Sequence, residues 1–160
     1  MTVVPTARRR AARISRRCRT CAIAAFALLL VATAVPATAA AADRTKITVR
    51  GSEFGRMIWA PGRQAIYMFE NDKRNRSRCY GRCAKAWPPV LTKGRPKAGR
   101  GVDPELLGTT RRRNGDRQVT YAGKPLYTYA HEGRGEVFCH DVRLNGGYWW
   151  VLDSEGEPHA

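Results

Sequence analysis

The chain repeats a pattern of residues at an offset of 60 positions. Each copy has an apolar segment interrupted by a glycine turn, then two alternating aromatic residues, then a cysteine. The matching positions are Tyr67 and Tyr127, Phe69 and Tyr129, and Cys79 and Cys139. Because a repeated unit of this size usually buries its apolar face against its neighbour, we expect the two copies to fold as a pair.

The first 42 residues have the composition of a secretory signal peptide. Residues 1–21 contain seven arginines and no acid, and the apolar run 22–35 follows. A run of about 14 residues is shorter than the roughly 20 that cross a bilayer. We predict cleavage between Ala39 and Asp43 and, because no cysteine follows the run, a secreted or extracytoplasmic chain without a lipid anchor. Residues 43–160 then form a single domain, with copies at about 47–92 and 105–154.

The secreted part of the chain is basic. The full sequence has 29 basic and 13 acidic residues, and loss of the seven signal-peptide arginines leaves 22 basic residues and a net charge of about +9. A secreted cation collects on anionic surfaces, so the candidate partners are anionic envelope polymers or lipid head groups. The candidate contacts are Arg111, Arg112 and Arg113, with further basic residues at 73–82; a solvated loop face is the alternative. Nucleic acid is not expected, because no recognised nucleic-acid module appears.

Short apolar segments between turn residues predict β-strands. Segments 56–60 and 64–69 flank Pro61-Gly62-Arg63, and segments 117–121 and 126–129 flank the turn 122–125. Both pairs are typical of β-hairpins whose glycine supplies the positive φ of a tight turn. An opening strand at 47–49 and a closing strand at 148–152 are also expected.

Helix is predicted only as short turns. Asp103–Gly108 has an acidic N-cap, a proline in the first turn and a terminal glycine. Ser77–Trp87 has room for another turn that stops before Pro88. The sequence therefore predicts a mainly β fold, a small antiparallel sheet domain built from two hairpin-containing repeats with one or two short helical turns.

Ordered motifs connect both copies to a known family. Tyr67–Asp72 is followed by Cys79 and by Cys83–Pro89, and Gln118–Tyr129 is followed by Gly146–Trp149. Over about residues 50–152 this resembles the bacterial secreted-repeat family of predicted lipoproteins with a Tyr-x-aromatic-x-x-Asp motif. The resemblance implies export, without an established biochemical role. It assigns as motif positions Tyr67, Phe69, Asp72, Trp87, Tyr127, Tyr129 and Trp149. The chain departs from the family in having Glu132 at the second acidic position and in lacking the lipoprotein cysteine.

The motif residues have structural and functional interpretations. Side chains two apart on a strand share a face, so we expect the aromatics of each copy to be core or cross-strand partners. An exposed platform for a glycan or cofactor is the alternative. Asp72 and Glu132 follow their repeat tyrosines by five residues and are expected to cap turns by accepting backbone N–H bonds. A cation site built from both acids is the sharper alternative.

Three cysteines remain after the signal peptide. We expect Cys79 and Cys83 to form a local disulfide in an oxidising compartment. Cys139 is left over, because Arg143 occupies the position that matches Cys83. An odd cysteine in a secreted chain suggests a buried free thiol, an intermolecular bridge or a reactive site, and we expect burial.

The sequence Cys139-His140-Asp141 contains the residue types of a nucleophile, a base and an orienting acid. Adjacent residues on a strand point to different faces, so these three are badly placed to act together, and we predict no enzyme activity. Cys139 and His140, with His131, are instead candidate ligands for copper or zinc. We therefore predict a non-enzymatic binding or structural module of the cell envelope, without a cofactor. The alternative is a small metal-binding or redox-linked envelope protein.

Overall fold

The computed structural model describes residues 44–159, so the predicted signal peptide and its cleavage site lie outside the described residues. In this part of the chain, short strands form three small sheets, with one 3-10 turn (Pro61–Arg63) and one helix, α1 (Arg82–Ala86). The strands are β1 (Lys46–Ser52), β2 (Gly55–Ala60), β3 (Gln64–Ala65), β4 (Tyr67–Phe69), β5 (Lys97–Ala98), β6 (Leu107–Arg111), β7 (Arg117–Tyr121), β8 (Lys124–Pro125), β9 (Val142–Leu144) and β10 (Gly147–Val151). The predicted mainly β fold is confirmed.

The first sheet has the order β3-β2-β1-β5. β1 and β2 are antiparallel, and β5 adds to β1 in parallel. The predicted hairpin around Pro61–Arg63 is present, with Trp59 opposite Ala65. Its second arm is shorter than predicted, because the chain leaves this sheet at Ile66 and β4 pairs with β10 instead.

The sheet β6-β7-β8 contains the second predicted hairpin. Its turn is Ala122-Gly123, both with positive φ (48° and 79°), which is the conformation of a two-residue hairpin turn that matches strand twist. The returning strand is Lys124–Pro125 rather than the predicted 126–129. Beyond it, Tyr127 makes single bridges to Tyr67 and Pro89.

One predicted helical turn is wrong and the other is confirmed. In the segment 103–108, Asp103 Oδ1 accepts the N–H of Glu105 in a local turn, and β6 begins at Leu107. Leu107 is buried opposite Tyr121, so cross-strand pairing and burial outweigh the local helix signals. The turn predicted within 77–87 is α1, and Pro88 follows its C-cap.

The third sheet, β4-β10-β9, joins the two copies. The predicted closing strand is β10, whose residue Trp149 lies opposite Phe69 of β4. Buried side chains form two clusters. One is mainly aliphatic and includes Ile47, Ile58 and Leu126. The other is rich in aromatic residues and contains most of the motif positions, so the repeat motifs build one of the two cores.

Candidate functional site

The two copies meet at Tyr67 and Tyr127. The backbone N–H of each tyrosine donates to the carbonyl of the other, at 2.8 Å from Tyr67 and 2.9 Å from Tyr127. Both side chains are fully buried. Because these tyrosines hold matching positions in the repeat, the reciprocal pair joins the copies through equivalent residues.

Each tyrosine hydroxyl is bonded to the acid of the other copy. Tyr67 Oη donates to Glu132 Oε1 at 2.6 Å, and Tyr127 Oη donates to Asp72 Oδ2 at 2.6 Å. Each carboxylate also accepts the backbone N–H of the residue six positions further on, at 2.7 Å for Asp72 and 2.6 Å for Glu132. The acids cap turns in their own copies and bind the tyrosine of the other.

Burial controls the protonation of these groups. It raises the pKa of Asp72 to about 6 and also raises the pKa of Glu132. Burial and the neighbouring carboxylates raise the pKa of both Tyr67 and Tyr127, so the phenols act as neutral donors. Glu132 Oε2 is buried without a hydrogen-bond partner among residues 44–159.

The motif aromatics stack around this junction. The rings of Trp87 and Trp149 are parallel, with centroids 3.7 Å apart and an interplanar angle of 2°. Phe69 stacks on Trp149 at 4.4 Å, and Tyr129 packs against Trp87 at 4.7 Å. These residues lie in or against the aromatic-rich core, where the rings stabilise the fold.

The cysteines are arranged as predicted. Cys79 and Cys83 form a disulfide, and Cys139 is a buried free thiol. Burial and the nearby charge of Glu132 raise the pKa of Cys139 to about 11. A thiol in this state is a poor nucleophile at neutral pH.

The three candidate metal ligands lie in different surroundings. The His140 ring lies 4.5 Å from the Phe54 ring and 5.6 Å from that of Trp150, whereas exposed His131 packs against Tyr129. Cys139 belongs to the aromatic-rich core. No set of three His, Cys, Asp or Glu side chains within residues 44–159 is grouped to hold a metal ion. Asp72 and Glu132, the two acids of the alternative cation site, are each hydrogen-bonded to a tyrosine of the other copy.

The three consecutive arginines have different environments. Arg111 and Arg113 are exposed, but Arg112 is only 7% exposed. Its guanidinium donates from Nη1 to Ser77 Oγ at 2.9 Å and to Gln118 Oε1 at 2.6 Å, and from Nη2 to the Cys79 carbonyl at 2.7 Å. Arg112 is therefore a structural link between the repeats as well as a candidate contact.

These arginines face a second basic segment across a cavity of about 380 Å³, which we call the arginine cleft. It is lined by Arg76, Ser77, Arg78, Tyr80, Arg111, Arg112 and Arg113. The guanidinium carbons of Arg112 and Arg113 each lie 4.5 Å from the centre of the Tyr80 ring. The sequence showed both basic stretches, but neither their convergence nor the participation of Tyr80, because the segments come together only through long-range contacts.

The described residues form a small, mainly β domain in which the repeat motif residues are internal. Residues 48–91, which cover most of the first copy, match a family described as a secreted repeat of unknown function. This confirms the family resemblance for that segment. No curated protein and no solved structure matches the chain. No helix within residues 44–159 is long and apolar enough to span a membrane.

Proposed function

We propose that this chain is a secreted, non-enzymatic module that binds anionic polymers of the cell envelope. One observation carries the proposal. Among residues 44–159, only Lys124 and Glu157 form an ion pair between side chains, at 3.1 Å, although this region holds most of the 29 basic residues of the chain. Cationic side chains that are not paired internally remain available to a polyanion.

The interior supports a role without catalysis. Asp72 and Glu132 are bonded to the buried tyrosines that join the copies. Cys139 is buried, with its pKa raised by burial, and the His140 ring packs against Phe54. These four side chains are therefore placed in structural contacts.

Binding by the secreted protein to an anionic wall polymer tests the proposal. Cosedimentation with the polymer is expected at low salt and is expected to weaken steeply as salt rises, because the contacts are between exposed charges. Neutral dextran is the control matrix. Absence of binding to any anionic polymer at low salt, or binding that salt does not weaken, would contradict the proposal.

A further inference from the structure

The arginine cleft is assembled by contacts between the two copies. The Thr110 hydroxyl of β6 donates to the Asn75 carbonyl, and Arg112 donates to Ser77 and to the Cys79 carbonyl. These bonds hold the 75–79 segment beside the 110–113 segment. Arg76 and Arg78 thereby lie across the cleft from Arg111 and Arg113.

The buried guanidinium group of Arg112 uses only some of its hydrogen-bond donors. The three hydrogen bonds from Arg112 end on neutral oxygens, and among residues 44–159 no carboxylate oxygen lies within 4 Å of its guanidinium. A guanidinium has five N–H donors, so two have no acceptor in the described part of the chain. The charge of Asp72 acts on Arg112 but no ion pair joins the two side chains, so a bound anion could accept hydrogen bonds from the two unused donors.

The rim of the cleft holds exposed cations in place. Arg113 lies over the Tyr80 ring at 4.5 Å, a cation–π contact that limits its rotamers. Arg111 Nη1 donates to the Gly115 carbonyl at 3.3 Å. Asp72, whose charge interacts with those of Arg112 and Arg78, uses both oxygens for Tyr127 and the Arg78 backbone. The lining of the cleft contains five arginines and no acidic side chain.

We propose that the arginine cleft binds a phosphate group of a phosphate-containing envelope polymer, an inference that rests on the proposed function and gives it a site. Arginine forks match phosphate oxygens in pairs, and the tetrahedral phosphate presents oxygens to guanidinium groups on several sides, whereas both oxygens of a carboxylate lie in one plane. The exposed large apolar side chains are Leu91, Phe138, Leu144 and Tyr148, and none lines the cleft. Without apolar residues to insert, the site suits a soluble polymer better than a lipid surface.

Calorimetric titration of the secreted protein with a short inorganic polyphosphate tests the site. The cleft double variant Arg78→Gln/Arg113→Gln spares the structural Arg112. The matched control is Arg95→Gln/Arg134→Gln, which removes the same charge from exposed positions outside the cleft. We expect the cleft variant to bind polyphosphate at least about tenfold more weakly than the control variant, since each lost contact is a charge-assisted bond. Near-ultraviolet circular dichroism confirms that both variants are folded.

Two further ligands separate the possible outcomes. Polyglutamate of matched charge is expected to bind more weakly than polyphosphate, and vesicles containing phosphatidylglycerol are expected to bind no better than neutral vesicles. Equal losses in the two double variants would overturn the site and leave the proposed function standing as diffuse attraction. Equal binding of polyglutamate would overturn the phosphate assignment, and vesicle binding without polyphosphate binding would overturn the choice of a polymer. Failure of both polymers to bind would overturn the proposed function as well.

Discussion

The hydroxyl of Tyr67 donates a hydrogen bond of 2.6 Å to Glu132, 65 residues away. Its counterpart, Tyr127, donates to Asp72 over 55 residues. The motif of each copy is therefore completed by the other, and neither tyrosine hydroxyl would have its acidic partner in an isolated copy. These hydrogen bonds between the copies give a physical reason for the two copies to fold together.

Removing the Tyr67 hydroxyl should destabilise the protein. Tyr67→Phe removes the hydroxyl donor of Glu132 Oε1, which keeps the Phe138 N–H, and also removes the acceptor of the buried Cys139 N–H. A buried polar group left without a partner costs about 1–3 kcal/mol. Tyr129→Phe is the matched control, because Tyr129 is only partly buried and its hydroxyl makes no hydrogen bond within residues 44–159. Urea unfolding measures the free energy of unfolding. Equal stabilities of the two variants would show that the hydrogen bond from Tyr67 to Glu132 does not stabilise the fold.

Asp72 should make stability depend on pH. Burial raises its pKa to about 6 from the ordinary value of 3.8, so between these values the folded state binds more protons than the unfolded state. The stability from Asp72 is thus fully present below about pH 4 and is lost as the pH rises through about 6. Asp72→Asn should remove this loss of stability with rising pH. Urea unfolding across this range checks the result, with Asp116→Asn as the control for loss of an exposed carboxylate. An unchanged pH profile in Asp72→Asn would exclude this titration.

The stacked tryptophans should be sensitive to truncation. Trp149→Ala removes a fully buried ring that stacks on Trp87 and is expected to cost about 3–5 kcal/mol. Trp150→Ala is the control, because the Trp150 side chain lies on the other face of β10 and is only partly buried. Thermal unfolding compares the two. A Trp150→Ala variant as unstable as Trp149→Ala would show that the stack is not the dominant contribution.

Cys139 should resist alkylation in the folded protein. The thiol is buried and its pKa is raised to about 11 by burial and by Glu132, so little thiolate is present at neutral pH. Iodoacetamide should modify Cys139 quickly only after unfolding in denaturant, and Cys79 and Cys83 only after reduction. Peptide mapping by mass spectrometry assigns each modified residue. Rapid labelling of Cys139 in the native protein would indicate a reactive site instead.

Several elements were predictable because their signals are local. The hairpins at Pro61–Arg63 and Ala122-Gly123, the turn before Pro88 and the Cys79–Cys83 pair depend on residues close in sequence. The turn at Asp103–Gly108 carried equally local helix signals, yet β6 starts at Leu107. There the pairing with β7 decided the outcome, and β7 begins ten positions after Leu107, beyond the reach of helix capping.

The sequence by itself determined the repeat, the strand-forming segments, the basic charge and the oxidised cysteine pair, since composition and spacing specify these. Tertiary structure alone decided that β4 pairs with β10, that each tyrosine binds the acid of the other copy and that Arg112 is buried while its neighbours are exposed. It also brought Arg78 and Arg113 to one cleft. These features depend on contacts between residues far apart in the chain, where the choice among partners is made by burial and by the satisfaction of buried polar groups.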